Sequence, residues 1–279
     1  MFTFTLTSDS HIGAFAPGSA AVFEAVLRDM LGGAYQPELF VSLGDCTENG
    51  TRGEWKTYFE LLKRFRPADD YIVIQGNHDI RFRRFAATQR RFCAFYNDLT
   101  GERVDRYYFA KDAGGYRFIC LGSERTQMEK ITLSPTQLDW LDMRLEESAG
   151  QGRPVFVLCH EPLRNTHGLP DIWDMPVKNT GHVGAQSDAL QAILRRYKNV
   201  FFLTGHMHTG FGRFTYQEVD GIHSVNLPAA GDKVNKSGEV ADHGLGMVAE
   251  VYEDRVVFRA RNFLQGEWLP QYDRTYPLV

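Results

Sequence analysis

Tyr71-Ile72-Val73-Ile74-Gln75-Gly76-Asn77-His78-Asp79 is the stretch on which the reading of this chain turns. Tyr71 to Ile74 is a short continuous apolar run, the form a fully buried strand takes. It ends at Gly76 and passes at once to an amide, an imidazole and a carboxylate. Open α/β sheets collect their chemistry outside the carboxyl ends of their strands, so the stretch predicts a strand that delivers Asn77, His78 and Asp79 to a working rim. The pattern recurs four times. Phe2–Leu6 runs into Asp9-Ser10-His11, Leu39–Leu43 into Gly44-Asp45, Val155–Leu158 into Cys159-His160, and Val200–Leu203 into Gly205-His206-Met207-His208.

Between these strands the helical repeat appears. Val22, Phe23, Val26, Leu27 and Met30 mark one helix, stopped by Gly32-Gly33. Trp55, Tyr58, Phe59, Leu62 and Phe65 mark a second, ended near Pro67. The first three strands and these two helices form a β-α-β-α-β half, which implies parallel pairing and right-handed crossovers. Residues 80 to 100 read as helical, Ala113-Gly114-Gly115 as a hairpin turn, and Ser134-Pro135 as a helix start with Leu138, Leu141 and Leu145 on its apolar stripe. After His208, Phe211–Tyr216, Ile222–Leu227, Met247–Tyr252 and Val256–Ala260 alternate like antiparallel strands. One domain over 1–279 is expected, β-rich from about residue 210.

Composition narrows the class. With 43% hydrophobic and 24% charged residues the 279-residue chain can build a packed core. A net charge of -4 supplies no global positive field of the kind that drives sequence-independent nucleic-acid binding. Arg81, Arg83, Arg84, Arg90 and Arg91 do crowd one segment, read as the solvated basic face of an amphipathic helix, with an anion-guiding role as the alternative. Cys46, Cys93, Cys120 and Cys159 form no C-x-x-C pair, which points to a reducing compartment rather than a zinc ribbon. Neither a signal peptide nor a membrane-spanning apolar run is legible, and a soluble cytoplasmic protein is expected.

Taken singly, an Asp at a strand end is most often a cap or turn former, and a lone His160 a satisfied core histidine. The set says more. Asp9-x-His11, Gly44-Asp45, Gly76-Asn77-His78-Asp79, His160 and Gly205-His206-x-His208, in this order and each at a strand exit, resemble the signature of the calcineurin-like metallophosphoesterases from the first strand to the last. The resemblance implies an α/β sandwich of two mixed β-sheets flanked by helices and a dinuclear metal-dependent phosphoesterase. It places Asp9, His11 and His208 on one metal, Asn77, His160 and His206 on a second, and Asp45 between them. Such ligands suit Mn, Fe, Zn or Ni, without choosing among them. Two ions of this kind can activate a shared water and clamp a phosphoryl oxygen. His78 would then face the leaving-group oxygen as general acid, and Asp79 would orient a neighbour rather than hold an ion.

Charge counting leans toward a phosphodiester. Two divalent ions carry about +4, Asp9 and Asp45 leave about +2, and the nucleophile about +1, which a singly charged diester neutralises. The turn Gly44-Asp45-Cys46-Thr47-Glu48-Asn49-Gly50 has Asn49 where protein Ser/Thr phosphatases carry an Arg, and Glu48 where purple acid phosphatases carry a Tyr. The chain is thereby most similar to the cyclic-nucleotide-phosphodiesterase-like and broad-specificity bacterial members. A phosphomonoesterase or nucleotide pyrophosphatase is the nearer alternative; a nuclease, or a scaffold that has lost catalysis, is the more distant one. The long stretch 161–186 is expected on the substrate rim, with Trp173 either stacking on an aromatic part of a small phosphoester substrate or anchoring the loop. His167, His182, His223 and His243 read as ordinary surface or core histidines, and Cys159 as a small buried apolar residue.

Overall fold

The computed structural model describes residues 1–14, 18–33, 35, 37–81, 84–126, 128–148, 152–169, 171–172, 182–231 and 242–279. Strand β1 (Phe2–Thr7), helix α1 (Ser19–Gly32), β2 (Leu39–Ser42), α2 (Arg52–Phe65) and β3 (Asp70–Val73) form the expected βαβαβ half, with β1, β2 and β3 parallel. The short helix α3 (Asn77–Ile80) and α4 (Phe85–Thr100) follow, then the hairpin β4 (Phe109–Ala113) and β5 (Tyr116–Cys120). Helix α5 (Pro135–Ser148), β6 (Val155–Leu158), α6 (Ser187–Leu194) and β7 (Val200–Thr204) complete the middle of the chain. The C-terminal part contributes β8 (Tyr216–Val219), β9 (Ile222–Asn226), β10 (Leu245–Val251), β11 (Arg255–Asn262), β12 (Glu267–Trp268) and β13 (Arg274–Pro277).

These strands form two mixed sheets. One runs β12-β11-β10-β1-β2-β3, with β13 also on β11, and the other β4-β5-β6-β7-β9-β8. Strands β5, β6, β7 and β9 are parallel, and β6 and β7 at the centre are buried throughout. The two-residue period sorts their side chains. Phe118, Phe156, Leu158, Phe201 and Leu203 face the first sheet, where Phe4 meets Phe118 and Phe156 at 5.3 and 5.0 Å between ring centroids. Ile119, Val157 and Phe202 face outward onto Leu138, Leu141 and Leu145 of α5 and Leu190 and Leu194 of α6. Phe23 of α1 stacks on Tyr58 of α2 at 4.9 Å in the core that covers the first sheet.

Local signals work as expected at several ends. Ser134 Oγ accepts from Gln137 N at the start of α5, and Thr51 with Glu54 closes a capping box on α2, which stops at left-handed Arg66 before Pro67. Gly114 and Gly115 take φ of 57° and 81° between β4 and β5, the left-handed pair a tight hairpin needs. Two expectations are corrected. Residues 80–100 are not one helix: α3 stops at Ile80, Arg81 is extended (φ -60°, ψ 150°), and α4 begins at Phe85. Phe211–Tyr216 is not a strand either, because Gly212 and Thr215 close a turn on each other and pairing begins only at Tyr216. The β-rich tail is moreover divided, with β8 and β9 in one sheet and β10 to β13 in the other. Among the described residues no helix is long and apolar enough to cross a membrane.

Candidate metal centre

Strand exits from both sheets meet at one edge of the sandwich. Asp9 and His11 follow β1, Asp45 follows β2, Asn77 opens α3 after β3, His160 follows β6, and His206 and His208 follow β7. Backbone bonds knit these turns: Asp9 N to Gly44 O (3.0 Å), His11 N to Asp45 O (2.9 Å) and Gly205 N to His160 O (2.9 Å). His206 N donates to Asp9 Oδ2 at 3.0 Å, which ties the first sheet to the second. Asp9, His11, Asp45, His206 and His208 all have φ between 45° and 73°, a conformation such residues adopt only where the surroundings hold them. Gly44 and Gly76 permit the packing. A Cβ on Gly76 would lie 2.2 Å from Asp45 Oδ1, and one on Gly44 would lie 2.7 Å from Gly76 N.

The donor atoms fall into two groups that share Asp45. Asp9, His11, Asp45 and His208 form one, and Asp45, His160 and His206 the other, with donor atoms in each within 4.8 Å of one another. In the first, His208 Nε2 is 3.0 Å from Asp9 Oδ1 and 2.9 Å from His11 Nε2. In the second, His160 Nε2 is 3.3 Å from both Asp45 Oδ2 and His206 Nδ1, and His206 Nδ1 is 3.0 Å from Asn77 Oδ1. Asn77 thus joins the second group, its Nδ2 donating to Met128 O at 2.6 Å so that Oδ1 points inward.

The chemistry of this donor set calls for cations. His160 Nδ1 lies 2.7 Å from Leu43 O, which can only accept, so the inward Nε2 carries a lone pair and faces the Asp45 carboxylate. His11 Nδ1 likewise donates to Glu48 Oε2 at 3.1 Å, leaving its Nε2 lone pair toward His208. Asp9 Oδ1 is buried, with His208 Nε2 beside it but no well-directed hydrogen bond among the described residues. Lone pairs converging out of water repel unless a positive charge sits among them. Protons answer in part. Burial opposes charge on His11, but Asp9, Glu48 and Asp45 carry it up to about 9, and Asp45 and Asp9 outweigh burial to hold His160 well above its ordinary value. Burial would raise Asp9, yet His208 and His160 keep it well below the usual carboxylate range. The same residues fit two divalent ions.

His78 stands at the mouth of the first group, its ring edge-on to His11 at 4.5 Å between centroids. Its N donates to Asp45 Oδ1 at 2.8 Å. Burial pushes its imidazole below the ordinary value against the pull of Asp45. Asp79 points away from the donors, into backbone: Oδ2 accepts from Gly76 N (2.8 Å) and Cys46 N (3.3 Å), Oδ1 from Thr47 N (2.9 Å) and Thr47 Oγ1 (2.7 Å). It therefore clamps the Asn77 turn to the Asp45 turn. Burial, then Asp45, push its carboxyl up to about 7.

All seven expected ligands and His78 are brought together, and Trp173 lies outside the described residues. His167 is a core residue, its Nδ1 donating to Phe214 O (2.6 Å) and its Nε2 accepting from Ser224 Oγ (2.8 Å). Two residues escaped assignment from sequence. Glu48, noted only as a departure at its position, is the carboxylate behind His11, and Arg81, placed on a solvated helix face, instead turns inward onto Glu48 and His78. Their positions in motif-bearing turns were the only signal available.

Two mixed sheets with ligand-bearing exits at one edge are the architecture of the metallophosphatases. The calcineurin-like phosphoesterase family matches residues 2–210, and the chain belongs to it. A probable cyclic nucleotide phosphodiesterase of Synechococcus sp. is 26% identical over 196 residues, 70% of this chain and 65% of that protein. A serine/threonine-protein phosphatase of Homo sapiens is 28% identical over 234 residues, 80% of this chain and 67% of that one. The matches thus span about two thirds of each relative's own length. A dimetal phosphatase from Danio rerio superposes over 100% of this chain and 99% of its own, with a TM-score of 0.66 and 18% identity. A purple acid phosphatase from yellow lupin seeds does so over 98% and 53%, with a TM-score of 0.69 and 14% identity. These structural likenesses speak for the fold.

Proposed function

We propose that this protein hydrolyses small phosphodiesters, nucleotide-derived ones among them, at a dinuclear centre held by Asp9, His11 and His208 on one side, Asn77, His160 and His206 on the other, and Asp45 between. The observation that carries the reading is the Asp45 carboxylate, shared by two donor groups whose remaining atoms are imidazole, amide and one further carboxylate. Two divalent ions of Mn, Fe, Zn or Ni, bound there, supply Lewis acidity and a water acidic enough to attack at neutral pH. The chain's own part is orientation and proton delivery. Leu43 O and Glu48 aim the imidazoles of His160 and His11, Asp79 fixes the spacing of the Asp45 and Asn77 turns, and His78 offers a ring nitrogen to the departing oxygen.

Charge supports a diester over a dianionic monoester. Glu48 and Arg81 form an ion pair at 2.7 Å and cancel, so the inner count of about +1 stands. The Synechococcus relative is named a probable phosphodiesterase, in the same direction, while the human relative keeps a phosphomonoesterase reading open. Four buried, unpaired cysteines support a reducing, cytoplasmic setting. The test is metal analysis of the purified protein, then chelation and turnover of a panel of mono- and diesters with each metal restored. Asp45→Asn is expected to lose metal and activity together. Full turnover by protein stripped of metal would refute the dinuclear reading, and faster turnover of monoesters than diesters would refute the substrate class.

A further inference from the structure

Arg90 and Arg91, read from the sequence as part of a solvated basic face, lie with Arg52 on a groove between α2 and α4. Ala87, Arg90, Arg91, Ala94, Phe95 and Asp98 recur at the helical spacing and line it from one face of α4, while Thr88, Phe92, Cys93 and Tyr96 are buried behind them. The groove holds about 480 Å³, the size of a small-molecule site. Its charge is uncompensated. Among the described residues none of the three guanidiniums has a carboxylate partner, and the carboxylate at the end of the groove, Asp98, is taken by Lys63. Arg91 Nη1 donates to Gly50 O at 2.7 Å, which fixes that guanidinium and leaves its other N–H groups for the groove.

We infer that this groove is a binding site, separate from the candidate metal centre, for a small molecule that carries a dianionic phosphate and an apolar group. Three like charges gathered in one depression repel each other until an anion sits among them. Guanidinium forks match the oxygens of a phosphate, each giving two parallel N–H bonds where an ammonium gives a point contact. The apolar part of the ligand is set by the rest of the lining: Ala87 and Ala94 leave room above the helix beside the arginines, and Phe95 adds apolar surface. A nucleic-acid strand fits less well, because the chain carries a net charge of -4 and the arginines gather in one groove rather than along a track. Nothing in the inference depends on the phosphoesterase reading, since α2 and α4 contribute none of the candidate metal ligands.

The test uses the full chain stripped of metal by chelation, so that no metal-bound anion obscures the groove, and phenylphosphonate as the probe, followed by calorimetry and by its phosphorus resonance. Wild-type protein is expected to bind it saturably, and to bind methylphosphonate at least about threefold more weakly for want of the ring. The double variant Arg52→Ala/Arg90→Ala should bind phenylphosphonate roughly tenfold more weakly. Ala94→Glu should abolish binding, because its carboxylate would lie one turn from Arg90 and Arg91 and pair with them. All three substituted positions are exposed, so the melting temperature should hold. Arg91 is left in place, since its bond to Gly50 O belongs to the turn that carries Asp45. Absence of binding by the wild type, an affinity unchanged in the variants, or equal affinity for the two phosphonates would each overturn the inference. Tighter binding of a single-stranded oligonucleotide than of phenylphosphonate at the same ionic strength would overturn the ligand class.

Discussion

Replacing Asp79 with Asn should separate the two turns that carry the shared carboxylate and the amide ligand. The Asp79 carboxylate accepts four hydrogen bonds, three from backbone N–H groups of Gly76, Cys46 and Thr47 and one from the Thr47 hydroxyl. An Asn side chain keeps one accepting oxygen and brings an NH₂ that cannot accept. If the oxygen stays on Thr47, the NH₂ opposes the N–H groups of Gly76 and Cys46. If the amide is turned over, it opposes Thr47 N, while the hydroxyl can rotate to accept. The orientation that orphans only Thr47 N costs less, and one buried backbone donor left unpaired costs about 1–3 kcal/mol, so the loss should be about 1–3 kcal/mol. The same donors sit next to Asp45 and Asn77, so metal affinity should fall as well. Urea denaturation of metal-free and zinc-loaded protein, with calorimetric zinc titration, measures both. An Asp79→Asn protein within about 0.5 kcal/mol of wild type, binding zinc equally well, would refute the clamp.

Further outcomes follow from the same geometry. His78→Ala should keep both metals and lose on the order of 10²-fold or more on alkyl esters, with a smaller loss on nitrophenyl esters, whose leaving group needs no proton; equal losses would remove His78 as the acid. His167 is buried and burial lowers its pKa from 6.5 to about 4, so the stability it confers is complete above about pH 6.5 and is lost as pH falls toward 4. That window is worth about 3 kcal/mol in urea denaturation, and His167→Gln should flatten the slope; an unchanged slope would show that other groups set it. Metal binding must displace the proton that the metal-free site holds on His11, whose pKa is raised to about 9. That proton's stabilisation is complete below about 6.5 and gone above 9, so zinc affinity should rise with pH across this window with measurable proton release; pH-independent affinity would show that the proton is not displaced.

The strands, the parallel first half and the candidate ligands were legible in the chain because they depend on short-range pattern. Tyr71–Ile74 is apolar on both faces and ends at a glycine that the Asp45 carboxylate crowds, and apolar runs lead to the candidate ligands at the other four exits. What lay beyond sequence was every relation between side chains distant along the chain. Arg81 follows Ile80 in what reads as a continuous helix, and the break that turns its guanidinium inward is one backbone conformation. Glu48 and His11 are 37 residues apart, and Asp79 reaches turns 32 and 33 residues away. The β-rich tail alternates evenly, yet packing sends its first hairpin to one sheet and the rest to the other. The candidate ligands stand at strand exits in an order that resembles a known family's, so the sequence by itself could name them as candidates. Which carboxylate aims which imidazole depends on the direction of side chains after two sheets have closed on each other, and only the tertiary structure decides that.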